Sequence, residues 1–290
     1  MSATVIDHLH AALVALSLTE ADVLLESHLE RAAQKQPSYA DFLLEVLQTE
    51  KAFRTTRIEQ TRIRMASLPY TKSLAQFDFG FQPSIDARVV RELQTLRFVS
   101  DTANVILLGP PGVGKTHLAI GLALEAIHAG FSAYFVTAHD LVQDLGKANR
   151  EGKLEQRMRL YVRPKVLIID EVGYLPLDPV GATMFFQLVS ARYERGSILL
   201  TSNKSYTDWG AVFGEQTIAA AILDRLLHHS TTLNIRGESY RLKERKRAGL
   251  FNARGDLANP FNPVVPGSSD TLAVKRHVTV GEEGGDGSAS

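Results

Sequence analysis

The sequence predicts an α/β fold, a five-stranded parallel sheet flanked by helices, preceded by a small all-helical N-terminal domain. Five short runs rich in Val, Ile and Leu, at residues 104–108, 132–136, 166–170, 197–201 and 231–235, have the texture of strands buried on both faces. Amphipathic, helix-compatible stretches separate them, the alternation expected of a sheet joined by crossover helices. The first 66 residues, in contrast, carry helical spacing throughout.

In that first zone Leu9, Leu13 and Leu16 share a helix face. Thr19-Glu20-Ala21-Asp22 resembles a capping box with Asp in place of Glu, and Val23, Leu24, Leu29 and Ala32 continue the spacing to about Lys35. Gln36-Pro37-Ser38 interrupts it. Ser38 is placed to cap a long helix through Phe42, Leu43, Val46, Leu47 and Phe53, which Leu68-Pro69 stops. Residues 67–88 read as a connector carrying Phe77-Asp78-Phe79, residues 89–251 as the domain that holds the sheet. Residues 252–290, rich in Pro, Gly, Ser and Asn, are expected to be a disordered tail.

Composition removes several function classes. Among 290 residues, 44% are apolar and 22% charged, and no run approaches the roughly 18 apolar residues of a membrane span. The first residues lack a basic segment followed by an apolar run, which argues against a secretory signal. There is no cysteine, so disulfides and thiolate metal sites are excluded, and a cytoplasmic location is expected. Lys and Arg number 32 and Asp and Glu 32, so a nucleic-acid partner must be argued from local patches.

The strongest motif is Gly109-Pro110-Pro111-Gly112-Val113-Gly114-Lys115-Thr116, directly after the strand at 104–108 and before helix-compatible residues starting at His117. That is the strand–loop–helix context of a P-loop. The loop from Gly109 to His117 is expected to cradle the phosphates of ATP through the backbone amides of its non-proline residues, with Lys115 neutralising β- and γ-phosphate charge and Thr116 holding Mg²⁺. Val166-Leu167-Ile168-Ile169-Asp170-Glu171 is an apolar strand ending in two carboxylates, a Walker B element. Asp170 is expected at Mg²⁺ and Glu171 at the attacking water. The paired acids fit hydrolytic ATPases of the AAA+ type and argue against a small-molecule kinase. Asn203, closing the strand at 197–201, is either a turn residue or an amide that senses the γ-phosphate. Arg225, beside Asp224, is either a surface salt-bridged arginine or a finger reaching a neighbouring subunit. Arg241 could touch phosphate within its own subunit.

Taken together, the helical N-terminal region, Phe77-Asp78-Phe79, the P-loop, Ile168-Ile169-Asp170-Glu171-Val172-Gly173-Tyr174, Thr201-Ser202-Asn203, Leu223-Asp224-Arg225-Leu226-Leu227-His228-His229 and Gly237-Glu238-Ser239-Tyr240-Arg241 resemble the IstB-like ATPases of bacterial insertion sequences, relatives of the DnaC helicase loaders. The resemblance spans about residues 5–251. It implies an AAA+ ATPase that assembles as a homo-oligomer on double-stranded DNA with ATP and assists a cognate transposase. It also implies Arg225 as the finger and Arg241 as a second sensor. A DnaC-like helicase loader is the alternative, since both share the ATPase core.

Apart from the resemblance, DNA contact rests on local basic stretches that have two readings. Lys51, Arg54, Arg57, Arg62 and Arg64 lie on one predicted helix, opposed there by Glu59, with Arg57 and Arg64 on a common face. Lys147, Arg150, Lys153, Arg157 and Arg159 form a second basic stretch, and residues 241–247 a third. Such patches neutralise phosphates without reading bases, or are simply solvated helix faces.

Overall fold

The computed structural model describes residues 4–247, opening on four helices: α1 (Val5–Ala15), α2 (Thr19–Val23), α3 (Leu25–Lys35) and α4 (Tyr39–Met65). Ser38 caps α4 by accepting from the Asp41 amide, as its position predicts, and Thr4 and Asp7 form a capping box on α1. The box expected at Thr19 does not form. Thr19 is the first residue inside α2, and Leu18 precedes it without a side-chain cap. Glu50, buried in the middle of α4, takes over: its carboxylate accepts from the amides of Glu20 at 2.8 Å and Ala21 at 3.1 Å. A buried carboxylate needs donors, and the free amides of a helix start supply them. The single helix expected over 19–35 is divided at Leu24.

Helix α4 closes at Ala66, ahead of Leu68-Pro69, where Ser67 turns the chain with a φ of 53°. Ile63 and Leu68 pack on the sheet's core, and the Ala66 carbonyl accepts from the Phe135 amide at 2.8 Å. Two short helices, α5 (Ala87–Gln94) and α6 (Arg97–Ser100), lead into the sheet. There β1 (Asn104–Leu108), α7 (Lys115–His128), β2 (Ala133–Thr137), α8 (Ala138–Arg150) and α9 (Leu154–Val162) are followed by β3 (Val166–Val172) and α10 (Pro179–Arg192). The chain continues through β4 (Ser197–Ser202), α11 (Trp209–Phe213), α12 (Gln216–Leu227), β5 (Ser230–Asn234) and α13 (Tyr240–Arg247).

All strand pairs are parallel, in the order β2-β3-β4-β1-β5. The strands alternate between two cores. Val105 and Leu107 face one with α7 and α5, while Ile106 and Leu108 face the other with α8, α10 and α12. Because β1 lies between β4 and β5, the loops after β1, β3 and β4 converge at one carboxyl edge, where parallel sheets bind ligands. At the opposite edge the buried Arg192 donates to the carbonyls of Tyr161, Val162, Pro164, Lys165 and Ser197, tying the starts of β3 and β4 together. Up to Leu242 the described residues form one compact unit. The tail expected at 252–290 lies outside the described residues.

Candidate nucleotide-binding site

The loop between β1 and α7 has the backbone an anion cradle requires. Gly112 and Gly114 hold φ values of 82° and 98°, in the left-handed region that favours glycine, and α7 starts directly after them. Val113 is buried in the core, so its contribution here is its backbone. Pro110 and Pro111 are exposed on the loop's rim. Lys115 is 6% exposed, and its ammonium donates to the carbonyls of Gly109 at 2.7 Å and Pro110 at 2.8 Å. Burial pulls its pKa down to about 8; Asp170 resists the fall, Arg241 adds to it and Glu171 resists it.

Thr116 donates to both oxygens of Asp170, at 3.0 and 3.1 Å. A hydroxyl and a carboxylate are hard oxygen donors, a set that fits Mg²⁺ with waters completing its shell. The structure adds Thr201 to this pair. Its hydroxyl donates to Asp170 Oδ1 at 2.5 Å and accepts from the Glu171 amide at 3.0 Å. The register between β3 and β4 slips between Ile169 and Val172, and Glu171 stands at a φ of 63°, uncommon for a residue with a side chain. Thr201 therefore holds both Walker B acids. The apolar run around it gave only strand burial, since the hydroxyl's use depends on which strand lies alongside.

Asn203 follows β4 at the same edge, and its buried Oδ1 has no hydrogen-bond partner among the described residues. An orphaned amide oxygen at this edge is an acceptor that a donor such as the attacking water would satisfy. Arg241 lies close enough to depress Lys115 further, and Tyr70 and Tyr174 also feel both Arg241 and Asp170. Arg225 lies elsewhere. Its guanidinium stacks on Phe186 at 4.7 Å, donates to the Ala221 carbonyl at 3.1 Å, and lines a cleft with Thr102, Asn104 and Ile198 at the amino edge of the sheet. The phosphate loop begins beyond the far end of β1, about 13 Å away along the strand.

The connector, with its Phe77-Asp78-Phe79, is built into the site. Phe77 lies where a Cβ on Gly114 would approach it to 2.6 Å, and it meets His117 edge-on at 5.3 Å. His117 Nε2 is 2.9 Å from the Ser73 carbonyl, so its side chain belongs to the connector, leaving its backbone amide in the first turn of α7. Leu74 occupies the space over Gly121 of α7, where a Cβ would come within 2.6 Å of it. Further on, Gln82 donates to the Glu238 carbonyl at 3.0 Å. Ser84 donates to the Arg236 carbonyl and accepts from the Arg236 amide, at 2.7 and 3.0 Å. Tyr240 in turn donates its amide to the Gly112 carbonyl at 2.9 Å. The connector and the segment after β5 thus clasp the phosphate loop.

Compared with known families, residues 11–248 match the model of the IstB-like ATP binding protein. The chain belongs to this family. An ATP-binding protein of insertion sequence IS21 from Pseudomonas aeruginosa is 53% identical over 227 residues, 78% of this chain and 86% of its own length. Its counterpart of insertion sequence IS5376 from Geobacillus stearothermophilus is 51% identical over 217 residues, 75% and 86% of the two chains. Among solved structures, AMPPCP-bound DnaA from Aquifex aeolicus superposes with a TM-score of 0.51 at 22% identity, covering 63% of this chain and 56% of that one. The IstB-like chain thus has the AAA+ fold of ATP-binding proteins, with the expected five-stranded parallel sheet. No helix among the described residues is long and apolar enough to cross a membrane.

The basic residues of the IstB-like chain separate into committed and open ones. Arg54 is bound to Glu50 at 2.7 Å and to the Ser17 carbonyl, so it fastens the N-terminal helices to α4. Lys51, Arg57 and Arg64 are exposed on α4 without an ion pair among the described residues, while Glu59 is engaged by His128 at 3.1 Å. On the second stretch Lys147 and Arg150 are exposed in the last turn of α8. Lys153 pairs with Glu151 at 3.5 Å, Arg157 with Asp144, and Arg159 with Glu155 at 2.7 Å. Side chains beyond Lys243 in the third basic run lie outside the described residues.

Proposed function

We propose that the chain is an AAA+ ATPase that assembles with ATP as a homo-oligomer on double-stranded DNA and assists the transposase of an insertion sequence in target selection. One observation carries this reading: the predicted nucleotide-site residues gather at the carboxyl edge of the sheet except Arg225, which stands at the opposite edge. An arginine so placed serves the site of a second copy, which makes hydrolysis a property of the assembly.

Within each site, Lys115 and the loop amides hold the β- and γ-phosphates, and Arg241 approaches them from the same subunit. Thr116 and Asp170 hold Mg²⁺, which when bound offsets phosphate charge and polarises the γ-phosphoryl group. Glu171 takes the proton of the attacking water, Asn203 orients that water, and phosphate leaves to solvent. Arg57, Arg64 and Lys51 meet DNA phosphates along α4, with Lys147 and Arg150 as a second contact; neither set reads bases. The names of the two relatives support the insertion-sequence setting.

Electron microscopy of the full chain with duplex DNA, with and without a non-hydrolysable ATP analogue, tests the assembly. Oligomers on DNA only with the analogue are expected. A protein that binds duplex as a monomer regardless of nucleotide overturns it. Pulldown with the transposase against a hexameric replicative helicase tests the partner, and recovery of helicase alone overturns the transposase reading.

A further inference from the structure

At the amino edge of the sheet, remote from the phosphate loop, His228 caps the end of α12 and His229 leads into β5. Glu194, in the turn after α10, stands opposite. A ring nitrogen from each histidine and a carboxylate oxygen of Glu194 all lie within 4.8 Å of one another. The side chains are exposed, so small rotations can bring the three donors to the spacing set by metal–nitrogen and metal–oxygen bonds of about 2.0–2.2 Å.

One further observation distinguishes this cluster from a chance grouping of surface charges. The Tyr193 hydroxyl lies 2.8 Å from His228 Nδ1, orienting the ring and leaving Nε2 for an ion, the outer partner that metal-bound imidazoles usually have.

We propose that Glu194, His228 and His229 form a binding site for a divalent ion of the zinc class, with solvent in the open coordination position. Two imidazoles and one carboxylate suit Zn²⁺ and its neighbours rather than Mg²⁺, so the site does not compete with Thr116 and Asp170. An ion there joins the end of α12 to the turn after α10. Arg225, Glu194 and His229 line one cleft, so the ion braces the segment that carries Arg225. The site does not depend on the proposed role of Arg225.

The full chain, freed of any histidine tag, is titrated with Co²⁺ as a visible-absorption probe and then with Zn²⁺. One Co²⁺ per protomer with four-coordinate absorption, displaced by Zn²⁺, is expected. His229→Ala and Glu194→Gln should each weaken binding at least tenfold, with circular dichroism and nucleotide binding unchanged. Lys115→Ala should leave Co²⁺ affinity as it was. Equal affinity in the wild type and a His228→Ala/His229→Ala variant, or no loss in Glu194→Gln, overturns the site. Because Co²⁺ binding is read without ATP turnover, failure of the ATPase reading leaves this result distinguishable.

Discussion

Thr201 spends one hydroxyl on two acids, donating to Asp170 and accepting from the Glu171 amide. Thr201→Val keeps the shape and removes both bonds. Nucleotide affinity should stay within about threefold while turnover falls about ten- to a hundredfold, because a misplaced acid costs the reacting geometry more than ground-state binding. Steady-state ATPase assays alongside nucleotide titration check this, and unchanged turnover would remove Thr201 from the site. Lys115 offers a pH test. The free protein holds its ammonium charged below about pH 8 and loses the proton above it, so affinity for triphosphate should fall up to tenfold per pH unit past that point. A profile flat from pH 7 to 9.5 would refute this. For folding the sign is opposite: the cost of burying the charge is present below about pH 8 and relieved as pH rises toward 10.5.

At the level of elements, the N-terminal helices rest on a carboxylate in α4. Burial alone would raise the Glu50 pKa, but donation from Ala21, Arg54 and Glu20 holds it below its ordinary 4.5. Its stabilising effect is therefore full above pH 4.5 and lost as pH falls through the lowered value. Hydrogen exchange should show α1 and α2 opening in acid before the strands. Glu50→Ala should lower stability by about 1–3 kcal/mol at neutral pH, read by thermal melting. The strands and Ser38 were legible because buried parallel strands and helix caps leave local patterns. The Glu50 cap was not, since its partners lie 29 and 30 residues away. The connector was equally opaque: Phe77 and Leu74 act through surfaces of α7 that only the fold brings under them.

For the whole molecule, the placement of Arg225 makes a prediction that no single-subunit measurement can address. Arg225→Ala and Lys115→Ala chains should each be inactive alone, yet their mixture should recover a measurable share of wild-type turnover, since some junctions pair an intact loop with an intact arginine. ATPase activity across mixing ratios checks this, and no rescue at any ratio counts against action in trans. The phosphate loop, Asp170, Glu171 and Asn203 were readable because each sits at or just after the carboxyl end of an apolar strand in sequence. That all but Arg225 share one edge required the strand order, which places β1 beside β4 and β5.

Gly121 sits inside α7, where alanine would favour helix by about 1 kcal/mol, yet Leu74 fills the space that an alanine methyl would need. These two positions cannot drift independently. In a diverging lineage, alanine at 121 gains its advantage only after position 74 has shrunk. The pair should covary among descendants, although one residue lies in the connector and the other in the helix behind the phosphate loop.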